Sequence, residues 1–243
     1  MTKTICLDEK YSTTRLLTKD KPWIVTDFND KFKSVLFLQE GKKRKGEGGL
    51  RKKGYFKKSY GERALVSIIT VVYNDEKHLE KTILSVINQT YDNAEHIIVD
   101  GGSTDKTMDI IKKYENKIDY WVSESDNGIY NAMNKGLKLA SGKLGIFLNS
   151  GDSFAEKNML LNVFHYIKDK KGSDFDFVVG NTKRDYGDSY FISNSKPTFF
   201  CNPRKGMEFS HQSVFFKVAL HKKIPFSEEF KLMADFNFFC QCV

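Results

Sequence analysis

The fold is decided by LVSIITVVYNDEKHLEKTILSVINQTYDNAEHIIVD, residues 65–100. Its first eight residues carry no charge and are rich in β-branched side chains, which is typical of a strand buried on both faces. Apolar residues then recur at helical spacing over residues 79–87, after a cap that we place at Asn74 or Asp75. The run HIIV predicts a second strand that ends at Asp100. Strand, helix and strand together predict a βαβ unit.

The same alternation continues for another fifty residues. The predicted elements are a helix containing Met108, Ile111 and Tyr114, a strand at residues 120–122, a helix over residues 129–140 and the strand LGIFL at residues 144–148. Repeated alternation of strands and helices indicates an α/β protein with a mainly parallel central sheet flanked by helices and joined by right-handed crossovers.

Polar side chains stand just beyond three of the predicted strands. They are Tyr73 and Asn74, then Asp100, then the tetrad NSGD at residues 149–152. Open α/β sheets bind ligands at this edge, and these groups suit a nucleobase, a ribose or base edge, and a metal diphosphate. The first strand is not followed by GxGxxG, and no GxxxxGK[ST] occurs, which argues against a dinucleotide dehydrogenase and a P-loop kinase.

The net charge of +8 is concentrated in the leading segment. Residues 1–60 hold 16 basic and 7 acidic residues, whereas the remainder holds 23 and 24. We therefore divide the chain into a basic N-terminal extension, residues 1–62, and one main domain, residues 63–243. The densest part, residues 42–58, has three open interpretations: a solvated linker, a site for an anionic membrane surface, or a nucleic-acid or phosphate patch.

The sequence also predicts a cytoplasmic location. No stretch approaches the roughly 18 apolar residues of a membrane span, and the amino terminus lacks the apolar core of a signal peptide. The four cysteines, Cys6, Cys201, Cys240 and Cys242, show neither a disulfide framework nor CxxC pairs, so we expect reduced thiols.

Six runs in order, VSIITVVYN, IIVDGGSTDKT, SESDNGIYNAMNKG, FLNSGD, HQSVFF and ADFNFF, resemble the inverting GT-A glycosyltransferases of family 2 over residues 65–240. The resemblance implies the Rossmann-like GT-A fold and a nucleotide-sugar donor, with a UDP-sugar favoured. In such enzymes the equivalent of Tyr73 packs on the base and that of Asp100 bonds it, while Asp126 lies near the donor. The residues implied for the donor pocket are Tyr73, Asn74, Asp100, Asp126, Asn134, Asn149 and Gly151.

The resemblance implies a metal site in which only Asp152 of the tetrad carries a carboxylate. Mn²⁺ or Mg²⁺ accepts one or two protein carboxylates and completes its coordination with water and substrate phosphates. The alternative is a plain turn, in which Ser153 and Glu156 form a capping box for the next helix.

The catalytic base implied by the resemblance is Asp235 in ADFNFF, and we expect its apolar neighbours to raise its basicity. The alternative makes Asp235 the N-cap of a helix. His211 and Gln212 resemble the acceptor side of the family, although a structural histidine is the competing interpretation.

The predicted function is metal-dependent hexosyl transfer to a glycan or polyprenol-linked acceptor in cell-surface polysaccharide synthesis, at the inner face of the cytoplasmic membrane. The competing hypothesis is a nucleotide-sugar-binding protein impaired in turnover, because Gly151 replaces a carboxylate and the chain ends eight positions after Asp235. Nucleic-acid binding would leave the carboxylates at the strand ends unexplained, so we do not expect it.

Overall fold

The computed structural model describes residues 4–24, 31–41, 43–170, 175–195 and 209–242. Its strands are β1 (Arg44–Gly48), β2 (Val66–Val72), β3 (Ala94–Asp100), β4 (Tyr120–Glu124), β5 (Leu144–Phe147), β6 (Phe177–Val179), β7 (Thr182–Asp185), β8 (Tyr190–Ser193) and β9 (Val214–Lys217). Its helices are α1 (Leu79–Ile87), α2 (Thr107–Lys113), α3 (Ile129–Leu139), α4 (Met159–Asp169), α5 (Val218–Lys223) and α6 (Ala234–Gln241).

Seven strands form one sheet in the spatial order β1, β4, β3, β2, β5, β9, β6, and β7 with β8 forms a separate hairpin. The four central strands β4, β3, β2 and β5 are parallel to one another. Among the described residues, the antiparallel pairs of this sheet lie toward its two edges. β1 pairs with β4 at one edge, and β9 pairs with β5 and β6 at the other. The predicted mainly parallel sheet is confirmed.

Strand β2 is the centre of the core, because all seven of its residues are buried. Ile69 and Val71 pack in a cluster with α3 and α6, whereas Ile68 and Val72 belong to clusters with α4 and with α1 and α2. Successive side chains of a strand point to opposite faces, so helices must cover both sides of β2. The uninterrupted apolar pattern of this strand is explained by that double burial.

Helix α1 begins at Leu79, four or five residues later than the cap predicted at Asn74 or Asp75. Asn74 has φ +50°, a left-handed backbone conformation, and the N-cap of α1 is His78. Its backbone N–H donates to Ser103 Oγ, and that of Asp75 donates to Thr107 Oγ1. The residues after β2 therefore form a turn that is tied to the loop after β3.

The basic segment at residues 43–58 is part of the domain. β1 pairs along β4 at the edge of the central sheet. Lys57 is buried, and its Nζ donates to the carbonyls of Ser12 at 3.1 Å and Arg15 at 2.8 Å. The solvated-linker interpretation is wrong for these residues, and the predicted division at residue 62 does not separate two packed units; Lys42 lies outside the described residues.

A buried ion pair holds this segment against the sheet. Arg51 Nη2 lies 2.7 Å from Glu95 Oε2, and both side chains are almost completely enclosed. Arg51 Nη1 also donates to the carbonyls of Leu36 and Leu139, while Ser67 and Ser141 donate to the Glu95 carboxylate. Every charge in the pair is therefore matched by several hydrogen bonds, as burial demands.

No helix in the described ranges is long and apolar enough to cross a membrane. Cys6 and Cys242 are free thiols, Cys240 is disulfide-bonded, and Cys201 lies outside the described residues. The prediction of reduced thiols is wrong for Cys240, because sequence spacing does not reveal which cysteines meet in the fold.

We expect Arg51→Met to lower the free energy of unfolding by about 3–5 kcal/mol, because it leaves the Glu95 carboxylate buried without its cation. Urea denaturation followed by circular dichroism measures the change. The control is Arg63→Met, which breaks the exposed pair with Asp92 and should cost far less. Equal effects of the two substitutions would show that the leading segment is not held by this pair.

Candidate functional site

The loop after β3 is shaped by Asp100, whose side chain is 0% exposed. Asp100 Oδ2 accepts hydrogen bonds from the N–H groups of Gly102 at 3.1 Å and Ser103 at 3.0 Å, and from Ser123 Oγ at 2.5 Å. Ser103 Oγ donates to the other carboxylate oxygen. A carboxylate that is saturated in this way holds the turn and presents no free edge to a ligand, so the predicted base contact becomes a positioning role.

Beside this turn, Tyr73, Gly101 and Asp126 lie against one another, and we call the surface that they form the base recess, after the nucleobase predicted to bind there. A methyl group placed on Gly101 would lie 2.6 Å from Asp126 Oδ2 and 3.4 Å from Tyr73 Cδ2. The Tyr73 side chain is 64% exposed, and Asp126 Oδ1 accepts from the N–H of Gly128 at 2.9 Å. An exposed ring next to a carboxylate and a bare backbone can hold a flat, hydrogen-bonding group.

Two of the predicted pocket residues position neighbouring loops. Asn74 Oδ1 accepts from the N–H of Thr104 at 2.7 Å, so it fixes the turn that borders the base recess. Asn134 is 2% exposed, and its amide bonds both the carbonyl and the N–H of Phe226 as well as Glu228 Oε1. The structure brings Asn74 to the recess and keeps Asn134 in the interior.

The tetrad NSGD follows β5 as a tight turn, in which the N–H of Asp152 donates to the carbonyl of Asn149 at 3.0 Å. Gly151 has φ +94°, a backbone conformation that favours glycine. Thr82 of α1 anchors the turn, since its hydroxyl accepts from the Gly151 N–H and donates to the Asp152 carbonyl. Helix α4 begins only at Met159 without a side-chain cap, so the capping-box interpretation is wrong.

Oxygen atoms suited to a hard divalent cation are present in this turn. Burial raises the pKa of the Asp152 carboxyl group, and the nearby charge of His211 partly opposes that shift. The carboxylate receives no hydrogen bond within the described part of the chain, and Asn149 Oδ1 is buried there without a partner. No group of three or more His, Cys, Asp and Glu side chains is assembled for a metal among these residues. The turn fits a cation that takes the rest of its ligands from water and a substrate.

Asp235 lies in the first turn of α6 and is 8% exposed. Its Oδ2 is 3.0 Å from His211 Nδ1, and Tyr130 Oη donates to its Oδ1 at 3.1 Å. The N-cap of α6 is Met233, with φ +68°, so the alternative that made Asp235 the N-cap is wrong.

The expected increase in the pKa of Asp235 is wrong, because of the polar groups around its carboxylate. Burial acts to raise the pKa of this carboxyl group, but the hydrogen bond and charge of His211, the N–H of Phe236 and the hydroxyl of Tyr130 outweigh burial. The pKa therefore lies below its ordinary value. The apolar neighbours alone suggested the opposite direction, because the two polar partners come from distant parts of the chain.

His211 interacts with the carboxylates of both Asp235 and Asp152. It lies in a short 3-10 turn, His211–Ser213, directly before β9. His211 Nδ1 lies 3.0 Å from Asp235 Oδ2, and the charge of the ring acts to lower the pKa of Asp152. Its Nε2 is buried and has no hydrogen-bond partner in the described ranges. Gln212 lines, together with Asp152, a cavity of about 860 Å³ between α4 and the β6 to β7 segment. A cavity of about 970 Å³ near the amino ends of the strands contains none of the predicted site residues.

Two residues of the site were not predicted. Tyr130 belongs to the run SESDNGIYNAMNKG, yet nothing local indicates that its hydroxyl reaches a residue 105 positions away. Lys45 comes from the basic segment, and its Nζ donates to the carbonyl of Gly102 at 2.7 Å. The only signal for Lys45 was its place in a dense basic run.

Comparisons with known proteins identify the family of the chain. A family model described as "Glycosyl transferase family 2" matches residues 67–225. A PGL/p-HBAD biosynthesis glycosyltransferase of Mycobacterium bovis is 29% identical over 185 residues, which cover 73% of this chain and 69% of that protein. An uncharacterized glycosyltransferase of Mycobacterium tuberculosis is 40% identical over 106 residues, 43% of this chain and 40% of that protein.

Solved structures show the same architecture. S. aureus TarS 1–349 in complex with UDP superposes with a TM-score of 0.59 at 26% identity, over 72% of this chain and 54% of that chain. Mannosyltransferase PcManGT from Pyrobaculum calidifontis in complex with GDP-Man and Mn²⁺ shares the fold, with a TM-score of 0.51 at 18% identity, over 71% of this chain and 50% of that chain. The chain thus spans about half the length of these two structures.

We expect His211→Phe to raise the pKa of Asp235, because the substitution removes the hydrogen bond and charge that lower it and leaves the burial that raises it. Carbon-13 NMR titration of the aspartate carboxyl carbons measures the shift. Tyr130→Phe, which removes only one hydroxyl, should raise the pKa less. An unchanged or lower pKa in His211→Phe would contradict the assigned contact.

Proposed function

The chain belongs to glycosyl transferase family 2, and we propose that it transfers a sugar, with inversion, from a nucleoside-diphosphate donor to a hydroxyl of a glycan or lipid-linked glycan. One observation carries the proposal. The metal-site candidate Asp152 and the base candidate Asp235 approach the same histidine, His211, at the edge of the sheet where parallel strands end.

The base recess supports the donor half of the proposal. Tyr73 offers its exposed ring for stacking on a nucleobase, and Asp126 offers a carboxylate oxygen to base or ribose donors. TarS has been solved in complex with UDP and with UDP-GlcNAc, and this chain is 26% identical to it. We therefore propose a UDP-sugar as the donor.

Asp152 and Asn149 are the residues that would hold Mn²⁺ or Mg²⁺ against the donor diphosphate. A bound divalent cation stabilises the negative charge that develops on the leaving diphosphate. The turn faces open space at Gly151, because a methyl group placed there would meet nothing within 4 Å. The turn is anchored to α1 through Thr82, so the carboxylate stays at one place at the end of β5.

Asp235 is proposed to remove the acceptor proton. Its lowered pKa keeps the carboxylate ionised at neutral pH, and His211 and Tyr130 hold its orientation. As the acceptor oxygen bonds the anomeric carbon, the bond from that carbon to the leaving diphosphate breaks and the proton passes to Asp235. Attack from the face opposite the leaving group gives inversion.

The proposed acceptor is a glycan or lipid-linked glycan of the cell surface. The M. bovis relative carries the name of a PGL/p-HBAD biosynthesis enzyme, which supports a role in cell-surface glycan or polysaccharide synthesis. Contact with an anionic membrane surface through residues 42–58 would rest on the exposed Lys43, Lys52 and Lys53, since Arg51 and Lys57 are buried inside the fold. We propose no nucleic-acid partner.

The second candidate is a nucleotide-sugar-binding protein with impaired turnover. It is favoured by the tetrad, in which Gly151 leaves Asp152 as the sole carboxylate. Both candidates require donor binding, and only the first requires the Asp235 base.

We expect UDP to bind with Mn²⁺ and to lose most of its affinity in EDTA or in Asp152→Ala, because either change removes the link between protein and diphosphate. Isothermal titration calorimetry with UDP, GDP and dTDP measures the affinities. Asp188→Ala, in the exposed turn between β7 and β8, is the matched control and should bind as the wild type does. Equal UDP affinity with and without Mn²⁺ would remove the metal from the proposal.

We expect Asp235→Asn to reduce turnover by about 10²–10⁴-fold while UDP affinity stays within about twofold, because the amide keeps the shape of the carboxylate but cannot take the proton. Release of UDP from UDP-GlcNAc, with and without added glycan acceptors, measures turnover. Asp109→Asn, an exposed residue of α2, serves as the control. A full rate in Asp235→Asn would exclude this residue as the base.

A further inference from the structure

The edge strand β1 contains an irregularity at one residue, Lys45. Arg44 is paired with Glu124 and Gly46 with Ser123, so the register shifts and Lys45 is the inserted residue of a β-bulge. A bulge leaves the extra residue unpaired and redirects its side chain. The direction of the Lys45 side chain therefore follows from the geometry of the strand.

The redirected side chain reaches the turn that borders the base recess. Lys45 Nζ donates to the carbonyl oxygens of Gly102 at 2.7 Å and Ser103 at 3.3 Å. The N–H groups of the same two residues donate to Asp100 Oδ2. The turn is thus held by an ammonium group through its carbonyls and by a carboxylate through its amides.

The nearby carboxylates of Glu124 and Glu47 are already paired with other cations. Glu124 Oε2 is 2.8 Å from Arg44 Nε, and Glu124 Oε1 is 2.8 Å from Lys135 Nζ. Glu47 is paired with both Arg44 and Lys52. Since these acidic groups already have cationic partners, Lys45 is left to bind the turn.

We propose that Lys45 is a positioning residue for the donor nucleotide. By holding the carbonyls of Gly102 and Ser103, it fixes the turn that places Gly101 against Tyr73 and Asp126. The inference rests on the proposed function, because it requires the base recess to hold the donor. It assigns a role in donor binding to the amino-terminal strand, which lies outside the 67–225 region of the family match.

If Lys45 had a purely structural role, its removal would lower the stability of the protein. β1 is held to the sheet by its pairing with β4, and the segment that follows it is held by the buried Arg51. Lys45 is itself exposed, and removing an exposed side chain usually changes stability little. Loss of nucleotide affinity without loss of stability therefore separates positioning from scaffolding.

The experiment compares Lys45→Met, Lys45→Arg and the control Lys112→Met, which changes an exposed lysine of α2. Calorimetry with UDP and Mn²⁺ gives Kd, release of UDP from UDP-GlcNAc gives KM and kcat, and thermal denaturation gives Tm. We expect Lys45→Met to weaken UDP binding and raise KM about tenfold, as for the loss of a hydrogen bond to a charged group, with kcat and Tm nearly unchanged. Lys45→Arg should restore most of the affinity, and Lys112→Met should match the wild type.

Wild-type UDP affinity in Lys45→Met would overturn the inference and leave the proposed function intact. An equal loss of affinity in the Met and Arg variants, accompanied by a lower Tm, would also overturn it, because β1 would then act only as a scaffold. Failure of the wild-type protein to bind any of the three nucleotides would overturn the proposed function, and the role of Lys45 with it.

Discussion

The parallel pairing of β2 with β3 and β5 is the constraint on which the rest of the structure depends. Val72 is opposite Asp100, and β5 continues alongside β2 until the N–H of Ser150 donates to the carbonyl of Val71. Because parallel strands share one direction, their carboxyl ends meet at one edge of the sheet. The base recess and the Asp152 turn are neighbours for this reason, although Tyr73 precedes Asp152 by 79 positions in the chain and Gly101 by 51.

Polar pairing inside the fold gives these loops their shape. Asp100, Thr82 and Asn134 each bind backbone atoms of a loop that lies close to the candidate site. A buried polar group costs free energy unless it is hydrogen-bonded, so such contacts define one loop geometry among many. The exposed Tyr73 and the partly buried Asp152 are held in place by these internal contacts.

How far the sequence predicts the site depends on the kind of contact. Asp152 and Asp235 stand in short motifs at element ends, and the structure brings both toward His211. The direct contact predicted for Asp100 becomes an internal one, because the donors that saturate it come from its own turn and from β4. The raised basicity expected of Asp235 is reversed for the same reason. Its polar partners lie in distant segments that periodicity cannot bring together.

The sequence by itself determined the βαβ order, the mainly parallel sheet and the strand ends that carry polar groups, because burial on two faces and the turn residues leave local patterns. Only the tertiary structure decided that residues 44–48 of the basic leading segment form an edge strand, that a bulge turns Lys45 toward the loop after β3, and that His211 bonds Asp235 while its charge acts on Asp152. These features depend on register and on contacts between distant residues, and a linear pattern of residue types records neither.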